Sequence, residues 1–198
     1  MYLENIVFDA PDPGSLGRQW EQAVAGERLT DEPEGFETRM ALAEGPVLDL
    51  CFQRVADPSA DPPRLHLDLA AHDPDARTDP DTGPLAAVRL ESADPTRDAV
   101  LWAEITGWVA VPGRAGALRH PSGRGPVLEL VPETTPKGPA KNAIHLDVRL
   151  ESGEDPDEVE ARIVELGGAP LAHDWGELPW RSYLDPSGNE FCVLPARG

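Results

Sequence analysis

Gly125-Pro126-Val127-Leu128-Glu129-Leu130, followed after a polar loop by Ile144-His145-Leu146-Asp147-Val148, is text that this chain contains twice. The earlier copy reads Gly45-Pro46-Val47-Leu48-Asp49-Leu50, then Leu65-His66-Leu67-Asp68-Leu69. Two short apolar runs recur in the same order, one carrying an acid and the other a His-Asp pair at alternate positions. That is an internal repeat, and it governs the rest of the reading. Successive strand residues face opposite sides of a sheet. His145 and Asp147 therefore share one face, and Ile144, Leu146 and Val148 share the other. The apolar face packs on helices; the face that gathers histidine and carboxylate is the one on which function is expected.

The chain has 198 residues and a formal net charge of −19. Its length is enough for a substantial core in one domain or two small ones. Its only lysines are Lys137 and Lys141. A field of that sign repels phosphate backbones, so nucleic acid is not an expected partner; the charge reads as solubility or salt adaptation. No apolar run is long enough to span a membrane. The start, Met1-Tyr2-Leu3-Glu4-Asn5, shows no signal-peptide pattern, and a cytoplasmic location is the expectation. Cys51 and Cys192 sit in separate strand-like runs and read as free thiols.

Taken in order, Ile6–Phe8 is a strand ending in a Pro-rich turn. Leu16, Trp20 and Ala23 fall at helical spacing before a stop at Gly26. Strands follow near 28–30, at 36–42 and at 47–55, then at 65–69. His72 to Pro84 is dense in Asp and Pro without periodicity, and reads as a linker. The plan restarts with a strand at 87–90, a helix at 96–106 bearing Trp102, and strands at 108–111, 116–120 and 127–131. From Ile144 it goes further, with a helix at 155–166 and strands at 170–173, 181–184 and 190–194. Three β-α-β-β-β modules and one remnant result. Trp20 and Trp102, in mid-helix, are core candidates.

The residues Ala93-Asp94-Pro95 with Trp102, Ile144 to Val148, and Leu184-Asp185-Pro186-Ser187-Gly188-Asn189-Glu190-Phe191 carry a resemblance. The chain resembles the vicinal oxygen chelate superfamily (glyoxalase, bleomycin-resistance and extradiol-dioxygenase proteins), and within it the glyoxalase-like domain proteins. The resemblance implies an α+β fold in which paired βαβββ modules form a cup around a ligand or metal. It divides the chain into a half-domain βαβββ module plus one strand at 1–72, a linker at 73–84 and a complete two-module domain at 85–198. The N-terminal half is expected to pack on the C-terminal domain or to complete a cup across a homodimer.

In the family's metalloenzymes each module gives ligands from its first and last strands. Carried over, those positions are Ala87, Glu129, His145 and Cys192 in the second half, and Asn5, Asp49 and His66 as a pseudo-site in the first. Ala87 has no donor, and Cys192 stands where a carboxylate is expected. Glu129, His145 and Cys192 are thus the implied metal ligands, for one divalent ion (Zn, Mn, Ni or Fe). His145, Asp147, Glu129, His173, Trp175, Trp180 and Tyr183 are the implied pocket residues. The incomplete donor set favours a protein that binds a small organic molecule in the cup without a complete catalytic metal site. The alternative is a metal-dependent lyase, isomerase or dioxygenase using Glu129 and His145.

Overall fold

The computed structural model describes residues 1–59, 61–70, 81–172, 176 and 178–198. Most of the expected linker lies outside the described residues. The first module runs β1 (Tyr2–Ala10), α1 (Pro13–Val24), β2 (Glu27–Glu32), β3 (Gly35–Ala41) and β4 (Val47–Arg54). Among the described residues the remnant is a single strand, β5 (Leu65–Leu69). The next module runs β6 (Leu85–Ser92), α2 (Pro95–Thr106), β7 (Val109–Ala110), β8 (Ala117–Arg119) and β9 (Val127–Pro132). The last runs β10 (Ile144–Arg149), α3 (Pro156–Glu165), β11 (Ala169–Pro170), β12 (Arg181–Leu184) and β13 (Glu190–Leu194).

One local grammar starts α1, α2 and α3. Asp12, Asp94 and Asp155 are N-caps whose carboxylates accept from first-turn backbone N–H groups, and a proline occupies the next position. Aspartate satisfies a donor the helix cannot, and proline lacks the N–H that would go unpaired there. Gly17 lies inside α1 because the helix presses on β3. A Cβ there would come within 2.2 Å of the Phe36 ring.

The strands form an eight-stranded sheet in the order β11-β12-β13-β10-β1-β4-β3-β2 and a five-stranded sheet in the order β5-β6-β9-β8-β7. These sheets are drawn across the expected boundaries. The last two modules do not close on each other: β10 pairs antiparallel with β1, from Tyr2↔Arg149 to Phe8↔Ile144. The large sheet therefore joins the first module to the last. The reason is strand valence. In the small sheet β6 lies between β9 and β5, so both of its edges are filled. The first strand of the last module must find another first strand, and β1 has a free edge. The N-terminal module thus packs on the C-terminal part by continuing its sheet, as one of the two expected arrangements requires.

The faces follow the alternation. Ile6, Phe8, Leu50, Phe52, Leu146, Val148, Phe191 and Val193 of the large sheet join Val88, Leu90, Leu101, Trp102, Leu128 and Leu130 of the small sheet and α2 in one buried cluster. Trp102 is fully buried, its ring 5.4 Å from Phe191 across the two sheets. Trp20 packs against the cluster, 5.5 Å from Phe8. The opposite face of the large sheet is concave.

Candidate functional site

The concave face encloses a cavity of about 580 Å³, a size suited to a small organic ligand. Its floor comes from the four central strands. Asn5 on β1, Cys51 on β4, His145 and Asp147 on β10, and Cys192 on β13 all line it. Strand pairing puts these side chains together: Asn5 is opposite both Asp49 and Asp147, and Asp147 is opposite Cys192. Val7, Leu171, Ala172, Trp180 and Leu194 supply apolar wall.

His145 and Asp147 are buried, and one donor atom from each of His145, Asp147 and Cys192 lies within 4.8 Å of the others. Asn5 Nδ2 donates to Asp147 Oδ2 at 3.1 Å. His145 Nε2 is 3.4 Å from Asp147 Oδ1, close enough for charge attraction but without hydrogen-bond alignment, so among the described residues Oδ1 has no hydrogen-bond partner. His145 Nδ1 has none either. Burial opposes a charge on His145, yet Asp147 and Cys192 together outweigh it and push the imidazole up to about 9. Cys51, hydrogen-bonded to Glu37 at 3.6 Å, has its thiol pushed up by burial and then by Glu37, Asp147 and Asp49. It is a poor nucleophile for that reason.

The expected metal ligands are regrouped by the crossed sheets. Glu129 does not meet His145: β9 belongs to the small sheet, and the Glu129 carboxylate is held by Arg89 at 3.2 Å and by Arg114. Ala87 and His66 lie in that sheet too, so His66 does not join Asn5 and Asp49. Asn5, expected in a separate pseudo-site, instead joins His145, Asp147 and Cys192. Asp49 is buried beside them, but Arg39 clamps both its oxygens at 2.8 and 2.7 Å. Trp180 lines the cavity. Tyr183 does not: its ring stacks on Phe191 and its hydroxyl donates to Glu160 of α3 at 3.0 Å, on the helix side. His173 and Trp175 lie outside the described residues. The sequence reading missed Cys51, although period-two alternation places it on the face of Asp49. It also missed Lys141, at the rim, where Nζ pairs with Asp9 at 2.5 Å; a loop residue gives no periodic signal.

The turn from Asp185 to Asn189, the most specific piece of the resemblance, is a clasp between sheets. Asp185 Oδ1 accepts from the Ser187 and Asn189 backbone N–H groups, and Oδ2 accepts from Trp102 Nε1 at 3.2 Å. Asn189 Nδ2 donates to the Glu91 carbonyl, and its Oδ1 accepts from buried Arg64 at 2.8 Å. Asp98 on α2 accepts from Ser92, Ser187 and Arg97. Gly188, at φ 82°, supplies the left-handed step.

The metal implied by the resemblance can be tested against these donors. Imidazole, carboxylate and thiolate together suit zinc better than magnesium or manganese. Asp147 Oδ1, buried without a hydrogen-bond partner among the described residues and 3.4 Å from His145 Nε2, fits a cation there. The fitting set is His145, Asp147 and Cys192, all from the last module.

Two βαβββ modules, joined through their first strands into one sheet around a ligand-sized cavity, define a vicinal oxygen chelate protein. The family model for the glyoxalase-like domain matches residues 5–81 and 87–194, nearly the whole chain, and the chain belongs to that family. No match was found among curated proteins. Among solved structures, a putative dioxygenase from Bacillus subtilis is similar at 13% identity with a TM-score of 0.42, over 100% of this chain and 63% of that one. This chain thus spans under two thirds of that protein's length. Glyoxalase I from Zea mays is similar at 17% identity and a TM-score of 0.40, over 98% of this chain and 68% of that one. A glyoxalase-related enzyme from Fulvimarina pelagi is similar at 20% identity and a TM-score of 0.40, over 56% and 86%. Among the described residues no helix is long and apolar enough to cross a membrane.

Proposed function

We propose that this protein binds a small organic molecule on the concave face of the eight-stranded sheet. The observation that carries the reading is the cavity of about 580 Å³ with apolar wall and a polar floor at Asn5, His145, Asp147 and Cys192. An apolar body would rest against Trp180, Leu171 and Leu194, and a polar group would meet the floor at Asn5 and Cys192. Asn5 fixes Asp147, and Asp147 in turn favours the charged imidazole. The test is a thermal-shift screen of small organic fragments against wild type and Trp180→Ala. Hits that bind wild type and weaken about tenfold in the variant support the reading, since buried aromatic contacts are worth that much. Hits indifferent to Trp180 would move the site elsewhere.

The clustering of three donor types favours a second reading, a divalent-metal-dependent enzyme at the same floor. The ion would be held by His145, Asp147 and Cys192, and Glu129 would take no part. Bound there, it would supply Lewis acidity to the oxygens of a substrate. Metal content of untagged protein distinguishes the readings: near-stoichiometric zinc, lost in His145→Ala and Cys192→Ala but kept in Glu129→Ala, selects the second.

A further inference from the structure

The five-stranded sheet stops where the eight-stranded one continues. Among the described residues β5 is followed by no helix or further strand of its own module, and it lies at the edge of its sheet. Its backbone register is decided on the inner side. The Arg64 carbonyl accepts from Glu91 N–H, the Ala70 N–H donates to the Pro84 carbonyl, and His66 and Asp68 stand opposite Arg89 and Ala87. By alternation the N–H and C=O groups of Leu65, Leu67 and Leu69 point away from β6. Among the described residues nothing pairs with them, and Leu69 is 44% exposed.

The strand is its own complement. Rotated about a two-fold axis at Leu67, Leu65-His66-Leu67-Asp68-Leu69 places Leu67 against Leu67 of a second copy as a doubly hydrogen-bonded pair. Leu65 then meets Leu69 of the other copy in the same way. His66 falls opposite Asp68 at the closer, non-hydrogen-bonded positions, twice, so a donor meets an acceptor on each side of the axis. Asp68 already holds Arg89 at 2.7 Å and keeps lone pairs for the histidine. The apolar residues continue the buried face of the sheet, and the exposed Leu69 side chain is covered.

We propose that a second copy of this chain docks on β5, making one continuous sheet across an isologous two-fold interface. A pair of five-residue strands is small against a standard interface, and each chain carries a net charge of −19. Association is therefore micromolar rather than nanomolar and strengthens as salt is raised.

Sedimentation equilibrium over a range of protein concentrations tests this. Wild type should climb from the 21.4 kDa of one chain toward twice that value. Leu67→Pro removes an outward-facing N–H, which an edge strand tolerates, along with some packing of Leu67 on the core, and should hold the chain at one-copy mass. His66→Glu, at an exposed position, sets a carboxylate opposite Asp68 of the other copy. It should weaken association by about tenfold or more, with an unchanged circular dichroism spectrum. A wild type that stays at one-copy mass throughout, or a dimer that survives His66→Glu, overturns the proposal. Neither result bears on ligand binding in the cup, which lies in the other sheet.

Discussion

At the scale of single residues, His145 is the most informative group. It is buried, yet Asp147 and Cys192 overcome the cost of burial and push it up to about 9 from an ordinary value of 6.5. Proton linkage then fixes a sign. A folded-state value above the unfolded one gives stability that is fully present below about pH 6.5 and lost as pH rises through about 9. With chelator present, wild type should lose up to about 3 kcal/mol across that window, and His145→Gln should flatten the loss. Chemical denaturation at several pH values measures it; an equal slope in the variant would assign the linkage elsewhere. His145 and Asp147 were legible as one face of a strand, because alternation is a local property of the backbone. That Asn5 would join them was not, because no local pattern records which distant strand lies alongside.

At the scale of elements, the Asp185–Asn189 turn shows how a motif that reads as a family signature acts mechanically. Its Asp185 carboxylate, buried between the sheets, is drawn above its usual range by burial, against the pull of Asn189 and Trp102. Trp102→Phe deletes the indole donor and leaves that carboxylate short of a partner. The change should cost about 1.5–3 kcal/mol, read as a lowered thermal midpoint, with little effect on cup ligands. Asp98→Ala should cost a similar amount, since it strands Ser92 and Ser187 in the same buried network. A neutral effect of both would deny the clasp. The turn itself was readable from Pro186 and Gly188, but its bonds to Trp102, Glu91 and Arg64 were not. They depend on α2 and the last module meeting from different sheets.

At the scale of the whole molecule, the repeat gave the modules correctly and the partners in the wrong combination. Three modules and one strand offer more than one way to pair first strands. The choice rests on β5 filling the edge of β6, which periodicity within a module does not reveal. Hence Glu129 was expected beside His145 and lies in another sheet with Arg89 and Arg114. A fragment of residues 85–198 should therefore lack a cooperative thermal transition, because it leaves the β1 side of β10 bare and removes β5 from β6. A fragment that melts as sharply as the full chain would contradict the crossed assembly. The most direct test of the account is amide chemical-shift mapping of fragment hits on the isotope-labelled full chain. The account predicts that perturbations gather on both ends of the sequence together, around Asn5, Cys51, His145 and Cys192, and leave Arg89 and Glu129 unmoved. Perturbations centred on Glu129 and the five-stranded sheet, with the cup silent, would contradict it.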